Sequence, residues 1–142
     1  MVIAIDFDGT IVEDRYPEIG EPKIFAFETL NEMIKARHQL ILWTRREGQL
    51  LEDAVEFCRE NGIEFYSVNH SYPGEDFNED DGSRKLNCEL FISQKNVGGL
   101  PGWGEVWQEI KRMEDPNGIY GNEDAKPQSS GFWGLVKNLM GK

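Results

Sequence analysis

The chain has 142 residues, enough for one domain with a real core, and carries a formal net charge of -11. Such acidity argues against a nucleic-acid backbone as the main partner, because that affinity rests largely on Lys and Arg. The two cysteines, Cys58 and Cys88, have no CxxC spacing, and no signal peptide or long apolar run precedes them, so the chain reads as soluble and cytoplasmic, with no membrane partner.

In chain order, Val2-Ile3-Ala4-Ile5 is a short apolar run able to form a buried strand. Residues 11 to 21 contain Pro17 and Gly20 and read as a loop or small hairpin. Pro22 suits a helix start, and Phe27, Leu30 and Ile34 then recur at helical spacing. Leu40-Ile41-Leu42-Trp43 is too short for a helix and reads as a second buried strand closed by Thr44. Leu50, Leu51, Ala54, Val55 and Cys58 form the stripe of another helix, stopped by Asn61-Gly62, and a third strand is expected over residues 63 to 68. Leu90-Phe91-Ile92 reads as the fourth strand, and Val106, Trp107 and Ile110 mark the inner face of a helix over about residues 103 to 113. The βαβα alternation predicts an α/β fold, a Rossmann-like parallel sheet with helices on both faces.

The expected domain ends near residue 113, and residues 114 to 142 read as a C-terminal extension. Asp115-Pro116-Asn117-Gly118 breaks the helix, residues 121 to 131 form a polar linker, and Phe132, Val136, Leu139 and Met140 recur at helical spacing. That last helix suits docking on its own domain or on a second subunit, as in a homo-oligomer. With only Lys137 and Lys142 on it, it does not suit a membrane surface.

The first strand delivers two carboxylates into a glycine turn. Asp6 ends it, Phe7 points back to the core, and Asp8 re-emerges on the side of Asp6 by the period of two. Gly9 then lets the backbone turn sharply. Two acids this close repel, so one is driven toward its protonated form unless a cation sits beside them. A metal or an acid/base division of labour resolves that repulsion; an Asp pair that merely caps a turn is the plain alternative.

An apolar strand followed by Asp6-Phe7-Asp8-Gly9-Thr10 resembles the first motif of the haloacid dehalogenase (HAD) superfamily, and the resemblance runs over about residues 1 to 113. It implies a three-layer, HAD-like phosphatase, a hydrolase in which Asp6 attacks a phosphoryl group and Asp8 serves as general acid/base. The site would be magnesium-dependent, with Asp6, Asp8 and Ser93 as candidate metal-binding residues. Thr44 matches the second motif, where a hydroxyl holds phosphate oxygens; the bland alternative is a helix cap. Lys85 in Ser83-Arg84-Lys85-Leu86 matches the third, a lysine that neutralises phosphoryl charge, although a lysine in a polar loop is usually only solvated. Gly9, Arg45 and Arg46 are candidate substrate contacts, a guanidinium suiting an anionic substrate; for Arg46 the alternative is a surface pair with neighbouring glutamates. Neither residues 9 to 24 nor 69 to 88 leave room for a large cap domain, so the site should be open to a phosphorylated small molecule or macromolecule.

The fourth motif departs from the family. Where one or two acids are expected after the fourth strand, this chain reads Ser93-Gln94-Lys95-Asn96. Mg²⁺ prefers charged oxygens, Ser93 and Gln94 offer only neutral ones, and Lys95 brings a competing positive charge. A pseudoenzyme that binds a phosphorylated ligand or a protein partner is therefore the alternative to the hydrolase. Asp76, Asn78 and Asp80 begin like a calcium loop, but Asp81 stands where glycine is required and Asn87 where the closing Glu should be. A phospho-receiver fits less well, because the third strand ends at Val68-Asn69 without an Asp. His38 reads as a surface residue at a helix end, and His70 as a rim candidate.

Overall fold

The structure, a computed structural model, describes residues 1–76 and 86–118. Lys85, residues 77 to 81 of the acidic loop, and the apolar stretch over 132 to 140 lie outside the described residues. The chain divides into two compact units, the first Met1–Leu100 and the second opening at Pro101.

In the first unit the element order is β1 (Val2–Ile5), α1 (Ala26–Lys35), β2 (Gln39–Leu42), α2 (Gly48–Glu60), β3 (Ser67–Val68) and β4 (Leu90–Ile92). The four strands form one parallel sheet in the order β3-β2-β1-β4, an α/β arrangement of the Rossmann-like kind. Ile3 pairs with Leu40 and Leu90, and Ile5 with Leu42 and Ile92, so one sheet face is a layer of branched side chains. Right-handed crossovers from β1 to β2 and from β2 to β3 run the same way, which puts α1 and α2 on one face. Phe27 of α1 and Phe57 of α2 meet there, ring centroids 5.9 Å apart. On the opposite face Ala4, Ile41 and Leu86 are buried, with Val2, Trp43, Cys88 and Phe91 packed against them. The small Ala4 lets Trp43 and Phe91 meet edge to face at 4.7 Å. Both faces are thus apolar, as a central parallel sheet requires.

Helix ends explain three departures from expectation. α1 begins at Ala26, not at Pro22: Phe25 enters it with φ 65°, and Pro22 instead bridges Val12 in the hairpin that precedes it. That helix closes with Arg37 at φ 68°, whose N–H reaches the Ile34 carbonyl while the N–H of His38 reaches that of Met33. In this cap the residue after the left-handed position turns inward, so His38 is 6% exposed and its Nδ1 lies 3.1 Å from the Met1 amino group; it is not the surface residue expected. α2 ends in the same way at Gly62, φ 85°, with Ile63 N–H on Cys58 O at 2.9 Å. Ile63 is therefore a buried cap residue, and β3 pairs only from Ser67 rather than from residue 63.

In the second unit, α3 (Trp103–Glu114) matches the expected helix, with Trp103, Val106, Trp107 and Ile110 buried. Among the described residues no helix is long and apolar enough to cross a membrane.

Candidate functional site

The strand order reverses direction between β1 and β4, and in open parallel sheets the crevice beyond the strands' carboxyl ends at such a point is where ligands sit. β1 runs out into it. Asp6 N–H extends the ladder to Ile92 O at 3.0 Å, and Phe7 is fully buried. Gly9, at φ 81°, donates to Val12 O at 2.7 Å, while Thr10 and Ile11 donate to Phe7 O at 3.1 and 3.0 Å. This tight turn returns Asp8 beside Asp6. Both line an open cleft of about 310 Å³ with Asp14, Tyr16, Thr44, Arg45, Arg46 and Lys95.

Asp6 is held by its neighbours. Its Oδ1 accepts Phe7 N–H at 2.9 Å and its Oδ2 accepts the Ser93 hydroxyl at 3.1 Å, while Ser93 Oγ accepts Lys95 N–H at 3.1 Å. Burial pushes the Asp6 carboxyl above its ordinary range; these two hydrogen bonds and the Lys95 charge pull it back, and Asp8 adds the smallest upward push. Desolvation, not acid–acid repulsion, is therefore the main influence on Asp6.

Repulsion is answered at Asp8 by Arg46. Its Nε donates to Asp8 Oδ2 at 2.8 Å and its Nη2 to Oδ1 at 2.7 Å, a bidentate pair. Nη1 and Nη2 also reach Pro17 O and Glu18 O at 3.0 and 2.8 Å, tying the hairpin to the site. The guanidinium lies 5.2 Å from the Phe7 ring centroid and 5.3 Å from that of Tyr16. Pairing with Asp8 raises the Arg46 pKa further. Arg46 lines the cleft, but at 1% exposure and paired with Asp8 it is not in the surface pair with neighbouring glutamates named as the alternative.

Thr44 lies in the cleft, but it is no helix cap, since Glu47 precedes α2. Its N–H donates to Asn69 Oδ1 at 2.8 Å and its Oγ1 accepts Arg46 N–H at 3.2 Å, leaving the hydroxyl hydrogen to point elsewhere. Asn69, at φ 56°, escaped the sequence reading; the visible signal was an Asn after an apolar strand, a residue type that tolerates left-handed backbone. Arg45 is exposed in the cleft. Gly9 is buried instead, against the Gln94 side chain, whose backbone N–H donates to Thr10 Oγ1 at 3.0 Å. His70 does not line the cleft; its Nδ1 lies 2.7 Å from Val68 O.

Among the described residues this donor set is a weak one for Mg²⁺. Both Asp8 carboxylate oxygens face Arg46, Ser93 offers a neutral hydroxyl already turned to Asp6, and the Lys95 side chain enters the same cleft. Among the described residues Asp6 and Asp14 are the carboxylates left in the cleft, and with the Lys95 charge acting on Asp6 they make a weak site for a cation that prefers charged oxygens. Among the described residues no three His, Cys, Asp or Glu side chains gather into a metal-holding group.

No protein-family model and no curated protein matches the chain. A solved structure of a conserved protein from Bacteroides thetaiotaomicron is 53% identical, with a TM-score of 0.74, and the match covers 80% of this chain and 91% of that one. At that identity and coverage, the chain belongs to the family of this conserved Bacteroides thetaiotaomicron protein.

Proposed function

We propose that the chain is a HAD-like, three-layer domain without a large cap that binds a phosphorylated ligand in the cytoplasm and has lost efficient hydrolysis. The Arg46–Asp8 pair carries this reading. A general acid must present a proton from one of its carboxyl oxygens to the leaving group, and each Asp8 oxygen already accepts an N–H of a buried arginine. The neutral Ser93 beside Asp6 points the same way. Binding remains well served: Thr44 supplies a hydroxyl, Arg45 and Lys95 supply cations, and the open cleft admits a large or surface-presented phosphate.

A second reading, the magnesium-dependent phosphohydrolase, is favoured by Asp6 and Asp8 sharing one cleft with Thr44. In it an Asp6 oxygen bonds to phosphorus as the ester P–O bond breaks, and the departing alkoxide takes a proton from Asp8 once Asp8 has left Arg46. Turnover of a phosphomonoester panel with and without Mg²⁺ separates the two. The binding reading expects an inert wild type and a gain of activity in Ser93→Asp with Gln94→Asp. Wild-type turnover abolished by Asp6→Asn establishes the hydrolase, and turnover surviving Asp6→Asn removes Asp6 as nucleophile.

A further inference from the structure

We propose that Lys95 supplies the positive charge of this cleft, so that it takes a phosphate or phosphomonoester without any metal. The inference rests on the phosphate-site reading above and names the counter-charge of that site. Lys95 follows β4 closely, and its placement is built: its N–H is bonded to Ser93 Oγ, and the Ser93 hydroxyl is bonded to Asp6. That relay fixes the turn after β4 beside the nucleophile-like carboxylate, and the Lys95 side chain lines the cleft there. Its charge acts on Asp6 across that space.

Among the described residues the charges lining the cleft are equal in number but not equally committed. Asp6, Asp8 and Asp14 stand against Arg45, Arg46 and Lys95, but Arg46 is committed to Asp8. Lys95 and Arg45 are left to face an incoming phosphate. A divalent ion entering the space beside Asp6 meets the Lys95 ammonium there, so the ion and the lysine are alternatives for one role. An ammonium also donates three hydrogen bonds, matched to phosphate oxygens.

Calorimetric titration of the full chain with inorganic phosphate, first in EDTA and then with Mg²⁺, tests the inference. The dissociation constant should agree within about twofold between the two conditions, and Lys95→Met should weaken binding by about tenfold or more, the factor for one lost charge-assisted contact. Lys95 is exposed, so an unchanged melting temperature will show that the variant folds. Phosphate binding that requires Mg²⁺, or that Lys95→Met leaves intact, overturns the role of Lys95 while the phosphate-site reading stands. No phosphate binding in either condition overturns both.

Discussion

Replacing Arg46 with Met removes the group that joins Asp8, the hairpin and the start of the β2–α2 connection. The Arg46 side chain is 1% exposed and the Asp8 side chain 17%, so the stranded carboxylate recovers only part of its hydration. Breaking a fully buried pair costs about 3–5 kcal/mol, and the partial access of Asp8 to the cleft puts its share near 3 kcal/mol. Pro17 and Glu18 are exposed, so their released carbonyls find water, and those two bonds add about 1 kcal/mol between them. Met keeps most of the stem packing between Phe7 and Tyr16, and the lost cation–π contacts add about 0.5 kcal/mol. The total, about 4.5 kcal/mol, is a large share of an ordinary domain's stability. Urea unfolding should show a lower midpoint at unchanged slope. Asp8→Asn, which keeps an acceptor and drops the charge, should cost about 1–2 kcal/mol. The double variant should lose about 2 kcal/mol less than the sum of the two. An Arg46→Met loss below about 1 kcal/mol, with additive singles, would refute the buried bidentate pair.

Gly9→Ala should cost about 1–2 kcal/mol, chiefly from φ 81°, because the atom a Cβ meets there belongs to the movable Gln94 side chain. Gly20→Ala should cost more, about 2–3 kcal/mol, because a Cβ would stand 2.1 Å from the backbone oxygen of Glu13; thermal melts of the two variants rank them. Asp6→Asn should stabilise the chain at neutral pH. The Asp6 carboxyl is raised by burial, so its contribution to stability is present below the ordinary value of 3.8 and lost as pH rises through its folded-state value. The advantage of the Asn variant in urea midpoint should therefore shrink on acidification, and an advantage that grows would contradict the sign. Toward a thiol reagent at pH 8, Cys88 should react in the native state and Cys58 only on unfolding, because burial pushes the Cys58 thiol up to about 12; early labelling of Cys58, read by peptide mapping, would count against this packing.

The strand cores and the Asp6–Asp8 register were legible because period and apolar runs are local properties. The stop of α2 was legible for a similar reason: Asn61-Gly62 is a chemical signal for a left-handed cap. The same cap at the end of α1 uses Arg37, which carries no such signal, and so hid the burial of His38. The start of α1 was misplaced because Pro22 serves equally well as a helix opener and as a hairpin end, and only pairing with Val12 decides between them. The burial of Arg46 was not legible because arginine is rarely buried; it depends on Asp8, 38 residues earlier in the chain, and on two hairpin carbonyls. The acids missing after β4 were plain from the sequence, but the relay from Lys95 through Ser93 to Asp6 needed coordinates.

The most direct measurement is ³¹P NMR of a phosphomonoester titrated with the full chain in the presence of Mg²⁺ and followed over hours. A phosphorylated ligand that is bound and not hydrolysed gives a shifted or broadened ester resonance and no inorganic phosphate. Inorganic phosphate accumulating with wild type but not with Asp6→Asn would contradict loss of hydrolysis, and an unperturbed ester resonance throughout the panel would contradict the phosphate site itself.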